Sequence, residues 1–274
     1  MYLRVRCPAK INLFLSVGPK DNRNYHPLRT VFQAIELSDT LIIRDGVDKT
    51  QVVCDDPSVP RDNTATKALR LLSEVISLPP LHISIEKRIP QQSGLGGGSS
   101  DGAGVIRAAQ AISGSSIPAG ELKGIAEAIG MDVPFFLVGG LARAEGYGEV
   151  LSPLPDAKRS WILVARPSVG CSTPEAYRRL DEITYPWREF PHVDEIYNDF
   201  ERVAPEESME LIGFLKEYGA CDAALSGSGS AVFGIFKSRE AAESAATLLR
   251  GYQATSVWVS QSITRAESLV IETL

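Results

Sequence analysis

The chain has 274 residues, 44% of them hydrophobic and 23% charged, and its 28 Lys and Arg against 34 Asp and Glu leave a net charge of −6. That length suits one large domain or two modest ones, and the composition excludes disordered and collagen-like chains. The longest charge-free stretches, Ala223 to Phe236 and Gly251 to Thr264, have 14 residues each, short of the roughly 18 to 20 that a membrane helix needs. Alternating apolar residues predict strands at Tyr2 to Arg6, Ile11 to Val17, Thr40 to Arg44 and Leu81 to Ile89. A small-residue helix follows the glycines after Pro90, with Ser99 or Ser100 expected to cap it. Leu122, Ile125, Ala126 and Ile129, spaced i, i+3, i+4 and i+7 between Pro118 and Gly130, predict the next helix. Strands are expected at Ala142 to Leu151, Trp161 to Ala165, Ala231 to Phe236 and Val257 to Ser260, with a helix at Ser238 to Arg250 between the last two. Turn chemistry at Pro153 to Pro155 suggests a boundary between residues 1–153 and 154–274, and the class is mixed α and β.

Several function classes drop out. No basic run interrupts the acidic balance, so nucleic-acid binding is not expected. Met1 to Lys10 lacks the apolar centre of a signal peptide, which predicts a cytoplasmic protein. Cys7, Cys54, Cys171 and Cys221 are far apart, as are His26, His82 and His192, so zinc clusters and Ser-His-Asp catalysis find no support and any metal must use oxygen ligands. The nine carboxylates between Asp181 and Glu207, against Arg188 and Arg202, read as a solvated acidic face.

The chemistry concentrates in LHISIEKRIP, QQSGLGGGSS and DGAGVIRAAQAI: a strand, a loop and a helix. Gly94, Gly96, Gly97 and Gly98 permit positive φ and let backbone N–H groups face a ligand, and the helix amino terminus adds its dipole. Phosphate is the usual occupant of such a site. A P-loop would need a Lys after the glycines, and a dinucleotide fingerprint would need Gly or Ala where Ser99 stands, so neither standard motif matches.

The run from Pro90 to Ser100, PQQSGLGGGSS, resembles the phosphate loop of the GHMP kinases. PAKINLFL at Pro8, NYHPLRTVFQAIELSDTL at Asn24, GMDVPFFLVGG at Gly130, AEGYGE at Ala144, YNDFE at Tyr197 and LSGSGSAVF at Leu225 continue the likeness in order. Together they resemble the 4-diphosphocytidyl-2-C-methyl-D-erythritol kinases within that superfamily. The resemblance implies a two-domain α+β fold: an N-terminal nucleotide-binding α/β domain, a C-terminal ferredoxin-like α+β domain, and an active site in the cleft between them. It implies ATP with Mg2+ as cofactors and a cytidine diphosphate sugar alcohol as the small-molecule substrate, with no nucleic-acid or membrane partner. Other GHMP kinase acceptors, such as homoserine or mevalonate, and a non-catalytic nucleotide-binding relative, are the alternatives.

By itself Asp132, before Val133 and Pro134, reads as a helix N-cap, and Lys10 as a solvated strand lysine. The resemblance implies instead that Asp132 is the base for the acceptor hydroxyl and that Lys10 orients it and offsets charge in phosphoryl transfer. Asn12, one alternation along the strand, would share the acceptor pocket. Tyr25 and His26 would receive the cytosine ring by stacking and hydrogen bonding, Tyr177 would offer a second face with Thr173 beside it, and Ser226 and Gly227 would close on the site. Asn63 and Lys87 match adenine-pocket positions. Pro90, Gln91, Gln92, Ser93, Leu95, Ser99 and Ser100 would surround the phosphates along with the glycines, and either serine hydroxyl could meet Mg2+. Asn24 stands where Gly is common, which left-handed φ permits for Asn. Asp101 replaces a common Asn and puts a carboxylate beside the phosphate loop, either favouring the helix dipole or repelling phosphate.

Overall fold

Two long strands, β1 (Tyr2–Val17) and β2 (Leu28–Arg44), pair antiparallel along almost their whole length. The break expected inside β1 is a change of register between Pro8 and Ala9, because proline cannot donate to the ladder and is accommodated at a bulge. β2 begins well before the expected Thr40, since Thr30 and Gln33 are buried polar residues that interrupt the apolar alternation. The computed structural model describes residues 1–191, 195–251 and 254–274, so His192 and Asp194 lie outside the described residues.

The chain continues through β3 (Gln51–Cys54), α1 (Thr64–Ser73), β4 (His82–Glu86), α2 (Gly97–Ser113), α3 (Ala119–Ile129), α4 (Val133–Val138), β5 (Leu141–Glu145) and β6 (Val150–Pro153). The single strand expected at Ala142 to Leu151 is a hairpin, turned where Gly146 and Gly148 take φ of +70° and +115°. Then come β7 (Trp161–Pro167), α5 (Thr173–Leu180), β8 (Tyr197–Asn198), α6 (Glu206–Glu217), β9 (Asp222–Leu225), β10 (Val232–Phe236), α7 (Arg239–Arg250), β11 (Ala254–Gln261), α8 (Arg265–Ser268) and β12 (Ile271–Thr273).

The first sheet runs β12-β1-β2-β4-β3, with β5 on β2, β6 on β5 and β8 on β1. Leu3, Val5, Leu41 and Ile83 of this sheet pack on Ala65 and Leu72 of α1, Ile106 of α2, Ile125 of α3 and Phe135 of α4. The second sheet runs β11-β7-β10-β9 and is antiparallel throughout, with a β-α-β-β-α-β chain order that makes it ferredoxin-like. Leu211 and Leu215 of α6 and Ala245 and Leu249 of α7 bury against it. Ile162, Val164, Ala224 and Phe233 of the same sheet join Ala9, Ile11, Ile35 and Leu95 in a shared core, where each large apolar side chain contributes about 1.5–3 kcal/mol. The chain crosses to the second sheet between Pro153 and Trp161, and β12 returns to pair with β1.

Two further expectations are corrected. No side chain caps α2: Gly96, at φ +76°, occupies the N-cap, and Ser99 and Ser100 lie inside the first turn. A capping hydroxyl would occupy the donors that the loop leaves open. The acidic segment is not wholly solvated either. Asp199 is fully buried and accepts from the Val17 N–H (2.8 Å) and the Ser16 hydroxyl (3.0 Å), while Glu201 accepts from the Leu225 N–H at 3.0 Å.

Asp39 of β2, Lys87 after β4 and Asp101 of α2 form a buried cluster under the glycine loop, with the Lys87 ammonium donating to both carboxylates. Asp39 also accepts from the Arg88 and Ile89 N–H groups at 2.6 and 2.8 Å, whereas one Asp101 oxygen has no partner. Burial, and then the charge of Asp39, push the Asp101 carboxyl well above the usual range; Lys87 is raised despite its burial because both carboxylates hold its proton. Between the ordinary Asp value of about 3.9 and the raised native one, the folded state binds more protons than the unfolded state, so this group costs stability as pH rises. D101N should therefore gain stability relative to the parent between pH 5 and pH 8, by at least about 1 kcal/mol or roughly 2–4 °C. Thermal unfolding of both proteins at the two pH values checks this, and a pH-independent difference would refute it.

Candidate active site

Lys10 points inward from β1 and is 3% exposed, so it is not a solvated strand lysine. Its ammonium donates to Asn12 Oδ1 at 2.6 Å, lies 3.9 Å from Asp132 Oδ2 and sits 5.4 Å from the centre of the Phe32 ring. Burial lowers the Lys10 pKa, and the Asp132 carboxylate partly restores it. A chain of hydrogen bonds stands behind the contact with Asn12. The Thr30 hydroxyl donates to the Phe14 carbonyl at 2.6 Å and accepts from Asn12 Nδ2 at 2.8 Å. That leaves Asn12 Oδ1 for Lys10 and fixes which way the amide points. Asp132 stands at the N-cap of α4, but its own backbone is helical and its side chain makes no cap hydrogen bond. The carboxylate faces the lysine and is one-third exposed.

Two cavities meet at Gly94 and Gly96, one of about 650 Å³ and one of about 400 Å³. The larger holds Lys10, Asn12, Tyr25, His26, Asp132, Thr173, Tyr177 and Gly227 from the expected set. The smaller holds Asn63, Lys87, Pro90, Gln91, Gln92, Ser93, Gly97, Gly98, Ser99 and Asp101. Leu95, Ser100 and Ser226 line neither. The Leu95 side chain belongs to the core between the sheets, Ser100 is fully buried, and Ser226 donates to the Gly94 carbonyl at 3.1 Å while Ser228 takes its place at the wall. Asn63 also caps α1, accepting from the Ala65 and Thr66 N–H groups.

The glycine loop is gripped from both sheets. Lys10 N–H donates to the Leu95 carbonyl (2.9 Å) and Ala231 N–H to the Ser93 carbonyl (3.2 Å). A Cβ on Gly94 would fall 2.0 Å from the Ser226 carbonyl oxygen, so that position admits no side chain. Asn198, absent from the residues expected at the site, donates from Nδ2 to the carbonyls of Leu225 and Gly227, both at 2.8 Å, and so holds the facing turn.

Around the larger cavity the aromatic residues do not sit as first expected. The His26 and Tyr177 rings stack on one another, with centroids 5.1 Å apart and an interplanar angle of 22°, which leaves no slot for a third ring between them. His26 Nδ1 lies 2.8 Å from the Gly18 carbonyl and must carry the proton there; Nε2 stands 3.1 Å from Asp181 Oδ1 without a hydrogen bond. Tyr177 packs edge-on against Phe200, and its hydroxyl pKa is pushed up to about 12 by burial and then by Asp132. Tyr25 is 65% exposed at the cavity mouth. Thr30, Phe32, Asp181 and Tyr147 also line this cavity and were not singled out in sequence.

Among the described residues, no helix is long and apolar enough to cross a membrane, and no group of three His, Cys, Asp or Glu side chains is placed to hold a metal. Residues 63–140 match the model of the GHMP kinases N terminal domain, and residues 191–252 match that of the GHMP kinases C terminal domain. The 4-diphosphocytidyl-2-C-methyl-D-erythritol kinase of Solibacter usitatus is 36% identical over 271 residues, covering 90% of this chain and 85% of the relative. A crystal structure of 4-(cytidine 5'-diphospho)-2C-methyl-D-erythritol kinase superposes with a TM-score of 0.82 at 33% identity, over 94% of this chain and 98% of that one. Homoserine kinase from Cytophaga hutchinsonii shares the fold, with a TM-score of 0.69 at 19% identity over 96% of this chain and 95% of that one. With a phosphate-type loop between two cavities and relatives of this length and identity, the chain belongs to the GHMP kinases and, within them, to the 4-diphosphocytidyl-2-C-methyl-D-erythritol kinase family.

Proposed function

We propose that the protein transfers the γ-phosphoryl group of ATP to the 2-hydroxyl of 4-diphosphocytidyl-2-C-methyl-D-erythritol, giving the 2-phosphate and ADP. The reaction belongs to the mevalonate-independent route to isoprenoid precursors, in the cytoplasm where ATP is supplied. The observation that carries this reading is the meeting of the two cavities at Gly94 and Gly96, with Lys10 and Asp132 on the acceptor side. Residues 1–153 supply the nucleotide loop and most of the acceptor wall. Residues 154–274 supply Thr173, Tyr177 and the turn at Ser226 and Gly227.

Phosphoryl transfer needs positioning, charge neutralisation and a proton acceptor. The open first-turn N–H groups of α2, at Gly97, Gly98 and Ser99, face the nucleotide cavity and suit phosphate oxygens. Asp132 takes the proton of the acceptor hydroxyl. Lys10, aimed by Asn12 and Thr30, orients that carboxylate and offsets the charge that develops on the transferred group. Tyr25, His26 and Tyr177 form the aromatic wall that would receive the cytosine ring. Mg2+ bound with ATP would offset phosphate charge. Ser99, on the wall of the smaller cavity, would offer its hydroxyl to that ion, and the phosphates would provide most of the remaining ligands, whereas Ser100 is fully buried and lines neither cavity.

ADP release is to be measured with Mg2+-ATP and the cytidyl acceptor, methylerythritol phosphate, homoserine or mevalonate. Turnover is expected with the cytidyl acceptor alone; turnover with homoserine or mevalonate would discard the aromatic-wall assignment. D132N should lower kcat about 10²–10⁴-fold, and near-parental kcat would remove Asp132 as the base. T30V, which leaves the buried Asn12 amide without its acceptor, should lower kcat about three- to tenfold with the KM for ATP unchanged, while T30S stays near the parent. Equal loss in T30S and T30V would show that packing, not the hydroxyl, matters.

A further inference from the structure

Tyr25 has little of its own to hold it: its ring projects from the Gly18–Pro27 loop at the mouth of the larger cavity. One residue organises that loop. Asp21 donates its N–H to the Tyr25 carbonyl (2.8 Å), while its Oδ1 accepts from the N–H groups of Arg23 (2.9 Å) and Tyr25 (3.1 Å). Both backbone polar groups of Tyr25 are thus tied to Asp21. The turn closes because Asn24 adopts φ of +67° and donates its N–H to the Asp21 carbonyl at 3.0 Å.

The other carboxylate oxygen of Asp21 accepts the hydroxyl of Tyr147, from the β5–β6 turn. The Tyr147 ring packs against Tyr25, with centroids 5.6 Å apart and an interplanar angle of 56°. Asp21, Tyr25 and Tyr147 therefore close a triangle: backbone bonds on one side, a hydroxyl–carboxylate bond on the second and a ring contact on the third. The β5–β6 turn is itself braced. Tyr147 N–H donates to Glu149 Oε2 at 2.6 Å, and Leu28 N–H donates to the Gly146 carbonyl at 2.7 Å, tying the loop to the turn at a second point. The Tyr147 bond, first among the influences on Asp21, holds its carboxyl below the usual range, so the acceptor stays ionised throughout neutral pH.

We propose that Asp21 and Tyr147 are positioning residues that hold the Tyr25 ring in place to stack a planar nucleobase, making the β5–β6 turn a determinant of acceptor recognition. This rests on the proposed function, in which Tyr25 meets the cytosine of the acceptor. An ordered ring loses no side-chain freedom on binding, whereas an unlatched Tyr25 must be ordered by the ligand. Among the described residues no hydrogen bond, ion pair or ring contact joins Asp21, Tyr25 or Tyr147 to Lys10 or Asp132, so the latch is expected to act on acceptor binding more than on the transfer step.

The test is steady-state kinetics on the full chain. Y147F keeps the ring and removes only the hydroxyl; D21N is the second variant, and the Y147F/D21N double variant completes a cycle. The KM for the cytidyl acceptor should rise about three- to tenfold in Y147F, with kcat and the KM for ATP within about twofold of the parent. CDP as a competitive inhibitor against the acceptor should weaken by the same factor, and the double variant should be no worse than D21N alone. Unchanged acceptor KM and CDP inhibition in both single variants would overturn the latch, as would a loss carried entirely in kcat. A parent that binds ATP but does not turn over the cytidyl acceptor would overturn the functional reading first, and the latch with it.

Discussion

The contact on which the site depends is the approach of Gly94 to the Ser226 carbonyl, a separation that no side chain at position 94 would allow. It brings the glycine loop of the first sheet against the glycine turn of the second, and both cavities open on that junction. The bonds from Lys10 to Leu95 and from Ala231 to Ser93 keep the loop in register with β1 and with the start of β10, and Asn198 braces the turn from behind. The apolar cluster between the sheets lies beneath, with Leu95 as a loop residue turned into it. Backbone N–H groups can remain open to a ligand because side chains and core fix the loop's shape from outside.

Two buried lysines show how charge is used on either side of the loop. Lys87 is held between Asp39 and Asp101, close enough to donate to each, and it links β2, β4 and α2. Lys10 donates to a neutral amide oxygen and has an aromatic face and a carboxylate at 3.9 Å, with the larger cavity in front of it. Burial disfavours charge at both positions, but only at Lys87 do two carboxylates outweigh it. An incompletely paired ammonium costs stability and is suited to meeting negative charge that arrives with the substrates.

Much of the site was legible because its motifs are local. The strand, glycine loop and helix from Leu81 to Ile112 could be read as an anion site from backbone physics alone, and the resemblance placed Lys10, Asp132, Tyr25 and His26 where the structure gathers them around one cavity. Asn24 at a left-handed turn position was also readable, since few other residues tolerate that conformation. Thr30 was not, because a threonine in a strand advertises β-propensity and gives no sign that its hydroxyl will aim an amide across the ladder. The helix cap expected from Ser99 or Ser100 failed for a related reason: local propensity favours a hydroxyl cap, whereas Gly96 at positive φ takes the N-cap and leaves the first-turn donors uncapped by a side chain.

The amino-acid sequence by itself determined the mixed α and β class and the glycine loop, because periodicity and backbone freedom are properties of short segments; Lys10 and Asp132 were singled out by the resemblance, since on their own they read as a strand lysine and a helix cap. Tertiary structure alone decided that His26 stacks on Tyr177, that Lys87 is enclosed by two carboxylates, and that Asp21 and Tyr147 meet across 126 positions of sequence. Those pairings arise from strand register and from the packing of two sheets on a shared core, which bring together residues whose separation along the chain carries no signal of contact.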